Sequence, residues 1–485
     1  MIFNIYPLFS LMHLVKSTIL LSLLFLFSSC HMETKNKGGS KDFILASGIP
    51  IGDINPFGLR VGIGANLADL IHRPIFKINE QGDLVGELAT KFSWENNGLL
   101  LRVVLREDRA QDVKATFESV KKLRGGDLKE GVRHVKDIHV VRPNEVLFVF
   151  HKYDRAFSLI ASQLPILSDS QSTGDFSLSA LSELEVSFHR KQPSAYHVNR
   201  IIVKSIPSPR RAIRELVAGN VDFLFLAHQG DYNVLRDLPE VAIGEISTKM
   251  LYLVLENKAS SKKDINWKYL NNKIDKKSII HELGQSGLEI AYLPDSQESP
   301  RNKFEILGDL PKDNMPVISN SPRVLSFLGK QALDRKLARI LKRKFESIGL
   351  LVELKVLSPQ EFEKEVIAER SFDLVLLPFN IKDPLVSNYL IFHSSGREQG
   401  LNWSGYSNSV VDANLDSARY SSDERNAQIS FKKAMQAMAD DPPGLFLFWL
   451  KIPIVYRQSC TGFKFSSNEF FSSLKDVRCE PSAAN

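Results

Sequence analysis

LLVELKVLSPQEFEKEVIAERSFDLVLL, residues 350–377, decides the fold because it reads as strand, helix and strand in turn. Leu350 to Leu357 alternates between apolar and polar residues, which predicts a half-buried strand. Ser358-Pro359-Gln360-Glu361 is a capping box with proline in the first helical turn, so a helix begins there. Phe372 to Leu377 is an apolar run typical of a buried strand. This order predicts a βαβ unit and an α/β fold.

The same order of elements occurs earlier in the chain. Ile201 to Ile206 is a β-rich run, and Ser208-Pro209 again predicts a helix start. Gly219 stands where a left-handed residue ends a helix, and Val221 to Leu226 is a second apolar strand. Two α/β lobes are therefore expected, and β-type runs between residues 60 and 165 leave room for a third domain.

A helix is predicted just before the deciding stretch, from Lys330 to Ser347, and Gly349 stops it. Its apolar stripe faces away from a strongly basic surface. Basic amphipathic helices can lie on membranes. Because this helix belongs to a βαβ pattern, we favour the solvated face of a packed helix over membrane binding.

Composition bounds the class of protein. The chain has 485 residues, enough for two or three domains, and 43% of them are hydrophobic, as in ordinary globular proteins. The net charge is +6 over the whole length, so the sequence does not call for a nucleic-acid partner.

The amino terminus predicts export and lipidation. Lys16 precedes an apolar run, Ser17 to Phe27, which is too short to span a bilayer but suits a signal peptide over residues 1–29. Ser28-Ser29-Cys30 follows and resembles a lipobox, so Cys30 is the expected lipidated residue and 30–42 a tether. A simple secreted protein or an uncut anchor helix are the alternatives, and translation can start at Met1 or, more typically for a signal, at Met12.

Cys460 and Cys479 are the two remaining cysteines. In an oxidising envelope they can form a disulfide, but two buried free thiols fit the spacing equally well.

No stretch of the sequence fully matches the catalytic or cofactor-binding motifs that it partly resembles. Gly62-Ile63-Gly64 begins a dinucleotide fingerprint, but Leu67 replaces its third glycine. Gly284-Gln285-Ser286-Gly287 misses the nucleophile elbow, because Leu288 occupies the place of the last glycine. The eleven histidines are scattered. We therefore expect no enzyme activity, no metal site and no cofactor.

Order and spacing of short motifs, taken together, resemble family 5 extracellular solute-binding proteins, the dipeptide-, oligopeptide- and nickel-binding components of ABC importers. The matching pieces run in family order over residues 50–480: Asp53-Ile54-Asn55-Pro56, Leu70 to Phe76, Gly82 to Ala89, Phe92-Ser93-Trp94, Ala110 to Val113, Thr173 to Phe176, Ala218 to Asp222, Asn257, Asp383-Pro384 and Asn402 to Asn408. Each piece alone is common turn chemistry.

The resemblance implies a two-lobed periplasmic-binding-protein clamp (type II, cluster C) with an additional third domain. Lobe I is expected from 43–60, 166–255 and 446–485, the additional domain from 61–165, and lobe II from 256–445. Binding then closes the lobes around a ligand.

Ligand-binding residues are also implied by the resemblance. The loop Pro378-Phe379-Asn380 after the strand Phe372 to Leu377 is the best candidate, because strand ends point into the crevice of open α/β sheets. Relatives that bind peptides have an aspartate for the α-ammonium group where this chain has Asn380. Free amino termini should therefore bind poorly, unless Asn380 is only a turn residue. Further candidates are Asp383, Asn402, Tyr406 and Asn257.

The expected function is that of a lipid-anchored protein, monomeric and facing the periplasm or exterior, which delivers a peptide or other small solute to ABC permease subunits. Departures from the family pattern leave a second function open. Leu105-Arg106 runs almost directly into Ala110, so a loop that is usual in the family is missing, and the segment 288–322 is shorter than in the family. A binding protein without a transport role, acting as a sensor or envelope chaperone, fits these losses.

Overall fold

The computed structural model describes residues 42–48, 51, 54, 64–78, 83–123, 127–168, 172–225, 235, 238–258, 265–285, 287–295, 321–329, 332–381, 383–465 and 469–480. The chain divides into Met1–Asp42 and Phe43–Asn485, and only the second unit is treated below. The predicted signal peptide, Cys30 and the tether up to Lys41 lie outside the described residues, as does the first family motif apart from Ile54.

Strands are numbered in chain order. They are β1 Asp42–Ser47, β2 Phe76–Ile78, β3 Leu84–Gly86, β4 Ala89–Glu95, β5 Leu100–Leu105, β6 Val135–Arg142, β7 Glu145–Phe150, β8 Phe176–Leu181, β9 Glu185–Arg190, β10 Arg200–Ser205, β11 Phe223–Phe225, β12 Val241–Glu256, β13 Leu288–Ile290, β14 Arg323–Leu328, β15 Val352–Leu357, β16 Leu374–Asn380, β17 Gly444–Arg457, β18 Cys460–Thr461 and β19 Arg478–Cys479.

Helices are numbered in the same way. They are α1 Gly64–Ile71, α2 Ala110–Lys121, α3 Asp127–Gly131, α4 Arg155–Ala161, α5 Pro209–Val217, α6 Trp267–Lys273, α7 Lys276–Leu283, α8 Ala332–Glu346, α9 Pro359–Phe362, α10 Pro384–Phe392, α11 Gly396–Gln399, α12 Ser409–Tyr420, α13 Glu424–Asp440 and α14 Phe470–Ser473; a π-helical segment, Glu363–Ala368, continues α9.

One large sheet runs through the molecule in the order β15-β14-β16-β12-β17-β11-β1-β10-β9-β8, with β13 also paired to β17. We call β1 and β8–β11, with the helices α1, α5 and α14, the first half. We call β13–β16, with α6–α13, the second half. The two halves meet through β12 and β17, which pair antiparallel from Val241 opposite Arg457 to Leu255 opposite Gly444.

A separate four-stranded sheet, β4-β5-β7-β6, forms a third unit together with α2–α4. Its buried core contains Phe117, Phe148 and Phe157. Because the chain enters this four-stranded unit from β1 and α1 and leaves it to β8, its covalent connections run to the first half.

Both predicted βαβ units are present. Ser208 caps α5 by accepting from the Arg211 amide, and Gly219 has the left-handed φ of 76°. Ser358 and Glu361 form the capping box at α9. The strand β15 lies parallel to β14, which lies parallel to β16. These elements form where expected because each signal is local.

Helix α8 packs its apolar stripe into the second half, as the sequence predicts. Leu337, Leu341 and Phe345 are fully buried. The basic residues on its other face contact protein groups: Arg343 and Lys344 pair with Glu282 at 2.6 and 2.8 Å. This is the solvated face of a packed helix.

The first turn of α8 carries a buried acid. Asp334 is 7% exposed and accepts a hydrogen bond of 3.2 Å from the Tyr252 hydroxyl. Burial raises the pKa of Asp334 from 3.8 to about 6, although the Tyr252 hydrogen bond opposes the shift. The folded state therefore binds this proton more tightly than the unfolded state.

Asp334→Asn should remove this pH dependence. The raised pKa makes wild-type stability fall as pH rises from 3.8 to about 6, and the loss persists above that range. We expect the amide, which can still accept from Tyr252, to raise the free energy of unfolding by about 2 kcal/mol at pH 8 and by nothing below pH 3.5. Urea titration at both pH values measures this. Glu346→Gln, on the exposed face of α8, is the control, and an equal effect of the two changes would contradict the assignment.

The structure pairs the two carboxyl-terminal cysteines. Cys460 and Cys479 are opposite residues of β18 and β19, and their sulfur atoms are bonded. Of the two alternatives that spacing left open, the structure contains the disulfide.

Candidate functional site

The crossing between the two halves lies at an irregularity of β12. The pairing with β17 shifts register between Ser247 and Met250. Thr248 donates its hydroxyl to the Leu450 carbonyl at 2.5 Å and accepts from the Met250 amide at 3.1 Å. Lys249 has a φ of 56°, a left-handed conformation that is costly for a residue with a Cβ. Such strain at a junction marks a candidate hinge.

Three parts of the protein meet beside this crossing, at Asp383. This residue caps α10 by accepting from the Val386 amide at 2.9 Å. Burial raises the pKa of Asp383, while the Val386 amide and the charges of Lys249 and Arg155 oppose the rise. Lys249 belongs to β12, Asp383 to the second half and Arg155 to the four-stranded unit. Charges from all three parts therefore act on one carboxyl group.

The prediction of a loop at Pro378-Phe379-Asn380 is wrong, because these residues are the last part of β16. Leu251 lies opposite Phe379 and Met250 opposite Asn380 in the ladder with β12. The long strand β12 continues past Leu377 and supplies backbone partners, so β16 extends instead of turning. Asn380 is exposed at the strand end, whereas Phe379 is only 7% exposed.

Phe379 packs into the core of the second half. Its ring centroid lies 5.3 Å from that of Trp403. Phe379→Ala should therefore lower the free energy of unfolding by about 3 kcal/mol, because it leaves a cavity in a packed core. The neighbouring change Asn380→Ala should stay within about 0.5 kcal/mol. Chemical denaturation of both variants checks this, and equal stabilities would show that the Phe379 ring is not a core element.

The other candidates serve as internal supports in this structure. Asn402 is fully buried, donates to the carbonyls of His393 and Tyr406 at 3.1 and 2.8 Å, and accepts from the Tyr406 amide. The Tyr406 hydroxyl donates to the Asp441 carbonyl at 2.8 Å. These bonds shape the loop that carries Trp403 onto Phe379.

Asn257 lies apart from the crossing. It follows β12, seven residues beyond Met250, which places it about 23 Å along the strand direction. Its amide group donates to the Arg370 carbonyl at 2.7 Å. Of the six candidate residues, the structure brings Asn380 and Asp383 together at the crossing, places Phe379 behind them, and puts Asn257 elsewhere.

A cavity of about 420 Å³ opens beside the disulfide, where the start of β12 and the end of β17 adjoin the first half. Three aromatic residues line it, Tyr456, Phe463 and Phe465. Ala242, another lining residue, lies eight positions from Met250, or about 27 Å along β12. This cavity is therefore distinct from the crossing, and the sequence analysis did not predict it.

The part of the chain that the structure describes has neither a metal-binding cluster nor a membrane-spanning helix. No three His, Cys, Asp or Glu side chains come together in a way that could hold a metal ion. None of the helices in those residues has the length and apolar content that a membrane span requires.

Known proteins with this arrangement are solute-binding proteins. No family model matches the chain. Among curated proteins it matches the oligopeptide-binding protein AppA of Bacillus subtilis (strain 168), with 22% identity over 294 residues, 56% of this chain and 54% of AppA. The chain thus aligns with about half the length of this relative.

Solved structures match over nearly their full length. NikZ of Campylobacter jejuni, in complex with Ni(L-His), is 21% identical and has a TM-score of 0.70, covering 88% of this chain and 96% of NikZ. AppA of Bacillus subtilis, in complex with a nonapeptide, is 17% identical and has a TM-score of 0.72, covering 91% and 99%. The chain has the two-lobed fold of periplasmic binding proteins. This confirms the predicted two-lobed α/β fold. We call the first half the first lobe and the second half the second lobe.

Sequence reasoning missed two features of this binding-protein fold. The strand β12 contains Gly244, Glu245 and Lys249 among its apolar residues, so no clear run marked it. The contacts between the four-stranded unit and the second lobe join residues that are more than 220 positions apart, and no local pattern could have indicated them.

Proposed function

We propose that this chain captures a peptide or another small solute between its two lobes and delivers it to an ABC importer. The observation that carries the proposal is the fold match to peptide-bound AppA over 91% of the chain and 99% of AppA. The junction of the lobes at Thr248 and Lys249 supports it, because a clamp needs a narrow, bendable connection. Binding needs no bond to be made or broken, so the role is not enzymatic.

The domain boundaries follow from the same proposal. Lobe I comprises 43–60, 166–255 and 446–485, the additional domain 61–165 and lobe II 256–445. The four-stranded unit falls within the additional domain, 61–165. The crossing at Thr248 lies close to the boundary between the lobes.

Native mass spectrometry of gently purified protein tests the proposal directly, because it reports any solute that remains bound. We expect a peptide or small solute whose addition to the stripped protein raises the melting temperature. Absence of any bound solute, together with no thermal shift from di- to pentapeptides or from nickel–histidine, would contradict the proposal.

Asn380 is the residue that we propose selects the ligand. It is exposed at the end of β16, beside Asp383 and the crossing. A neutral amide lacks the charge that strengthens a hydrogen bond to an ammonium group. The site should therefore disfavour free peptide amino termini.

Asn380→Asp should reverse this preference. The added carboxylate should strengthen binding of a peptide with a free amino terminus relative to its acetylated form by about tenfold, because a charge-assisted hydrogen bond is worth about 1.5–3 kcal/mol. Isothermal titration with the matched peptide pair measures the ratio. Asn426→Asp, an exposed change on α13, controls for net charge. An unchanged ratio in folded Asn380→Asp protein would make Asn380 a bystander.

Lipid anchoring at Cys30 is part of the proposed function. The apolar run before the small residues Ser28 and Ser29 supports it. Cys30→Ser should block acylation and signal cleavage at this site. We therefore expect either an uncut precursor or a protein that is released from the membrane. Membrane fractionation with intact-mass analysis measures both. Membrane retention of a correctly cut Cys30→Ser protein would refute the anchor.

A further inference from the structure

A buried ion pair joins the four-stranded unit to the second lobe. Arg419, at the end of α12, donates to Asp154 through Nε at 2.9 Å and through Nη2 at 2.7 Å. The Arg419 side chain is 1% exposed and the Asp154 side chain is fully buried. This is a two-point contact between planar groups, the strongest common geometry for an arginine and a carboxylate.

Further bonds complete the polar environment of the guanidinium. Arg419 also donates to the Glu130 carboxylate at 2.7 Å and to the Glu130 carbonyl at 3.0 Å. Its guanidinium lies 4.4 Å from the centre of the Tyr389 ring. Asp154 in turn caps α4 by accepting from the Ala156 amide. Arg419 of the second lobe is therefore held by two acids of the four-stranded unit, Asp154 and Glu130.

Neighbouring contacts seal this interface. Ala156 and Ile160 of α4 pack with Val386 and Leu390 of α10 in one small apolar cluster. At the rim, Arg155 pairs with Glu424. Lys152 lies 3.2 Å from the centre of the Tyr420 ring, at the end of α12.

Chain connectivity does not require this interface. The four-stranded unit is connected to the first lobe at both of its ends, whereas the second lobe is connected to the first lobe through β12 and β17. Because of this connectivity, a rotation at the Thr248–Lys249 crossing that moves the second lobe away from the first would separate Arg419 from Asp154.

We propose that the Arg419–Asp154 pair is a latch that holds the four-stranded unit and the second lobe together in the closed clamp before any solute is bound. The proposal rests on the clamp fold and not on the proposed transport role. A buried pair that keeps both partners holds one defined arrangement, whereas loss of one partner leaves an unpaired charge in the interior. Opening then becomes favourable because it returns that charge to water. Each part has its own apolar core, so opening need not unfold either one.

Distance measurements between the two parts test the latch. Fluorescent dyes on Ser119→Cys in α2 and Lys432→Cys in α13 report the separation of the four-stranded unit from the second lobe in the otherwise intact, solute-free protein. We expect high energy transfer in wild type. Arg419→Met should raise the open-to-closed ratio by roughly a hundredfold. Restoring neutrality with Arg419→Met/Asp154→Asn, in which asparagine can still cap α4, should return much of the transfer.

Two further variants distinguish loss of the latch from a general loss of stability. Arg102→Met removes ion pairs to Glu95 and Glu145 within the four-stranded sheet and should leave the transfer unchanged. If Arg419→Met does not fold, Asp154→Asn, which leaves Arg419 its Glu130 partner, should still lower the transfer to a smaller degree. Low transfer in solute-free wild type, or unchanged transfer in folded Arg419→Met and Asp154→Asn, would overturn the latch. Equal loss of transfer with Arg102→Met would show a general loss of stability instead and would also overturn it.

Discussion

Antiparallel pairing of β12 with β17 is the constraint on which the rest of the structure depends. These strands carry both lobes on one ladder, so each lobe can build its own core while the connection stays narrow. The bond from Thr248 to the Leu450 carbonyl ties the strands together where the register shifts. A ladder is stiff along its strands, and an irregularity is the natural place for it to bend. The position of the crossing therefore determines which surfaces can approach each other.

Charge at that crossing is the feature that we propose sets the ligand preference. Asn380 is neutral and exposed, and the acid next to it, Asp383, is occupied by the start of α10. Lys249 and Arg155 bring positive charge close to Asp383 and oppose the effect of burial, which still raises the pKa of this carboxyl group. We propose that a solute in this place meets the Asn380 amide and not a free carboxylate.

Features whose physical signal is local could be predicted from the sequence. The capping box at Ser358, the left-handed Gly219 and the apolar stripe of α8 each lie within a few residues of the element they define. The strand positions of Phe379 and Asn380 could not be predicted, because the length of β16 is set by pairing with β12, more than 120 positions earlier. The same reason hid the contact of Arg419 with Asp154, whose partners are chosen by tertiary packing and not by spacing.

Hydrogen–deuterium exchange with and without the co-purified solute tests the central claim, capture between the lobes, most directly. The account predicts that the solute slows exchange at the crossing, residues 247–251, and at the end of β16 and the start of α10, residues 379–387, with little change in β8 and β9. Protection confined to the aromatic cavity around Tyr456 and Phe463, with an unchanged crossing, would contradict it and would place the ligand on the first lobe alone.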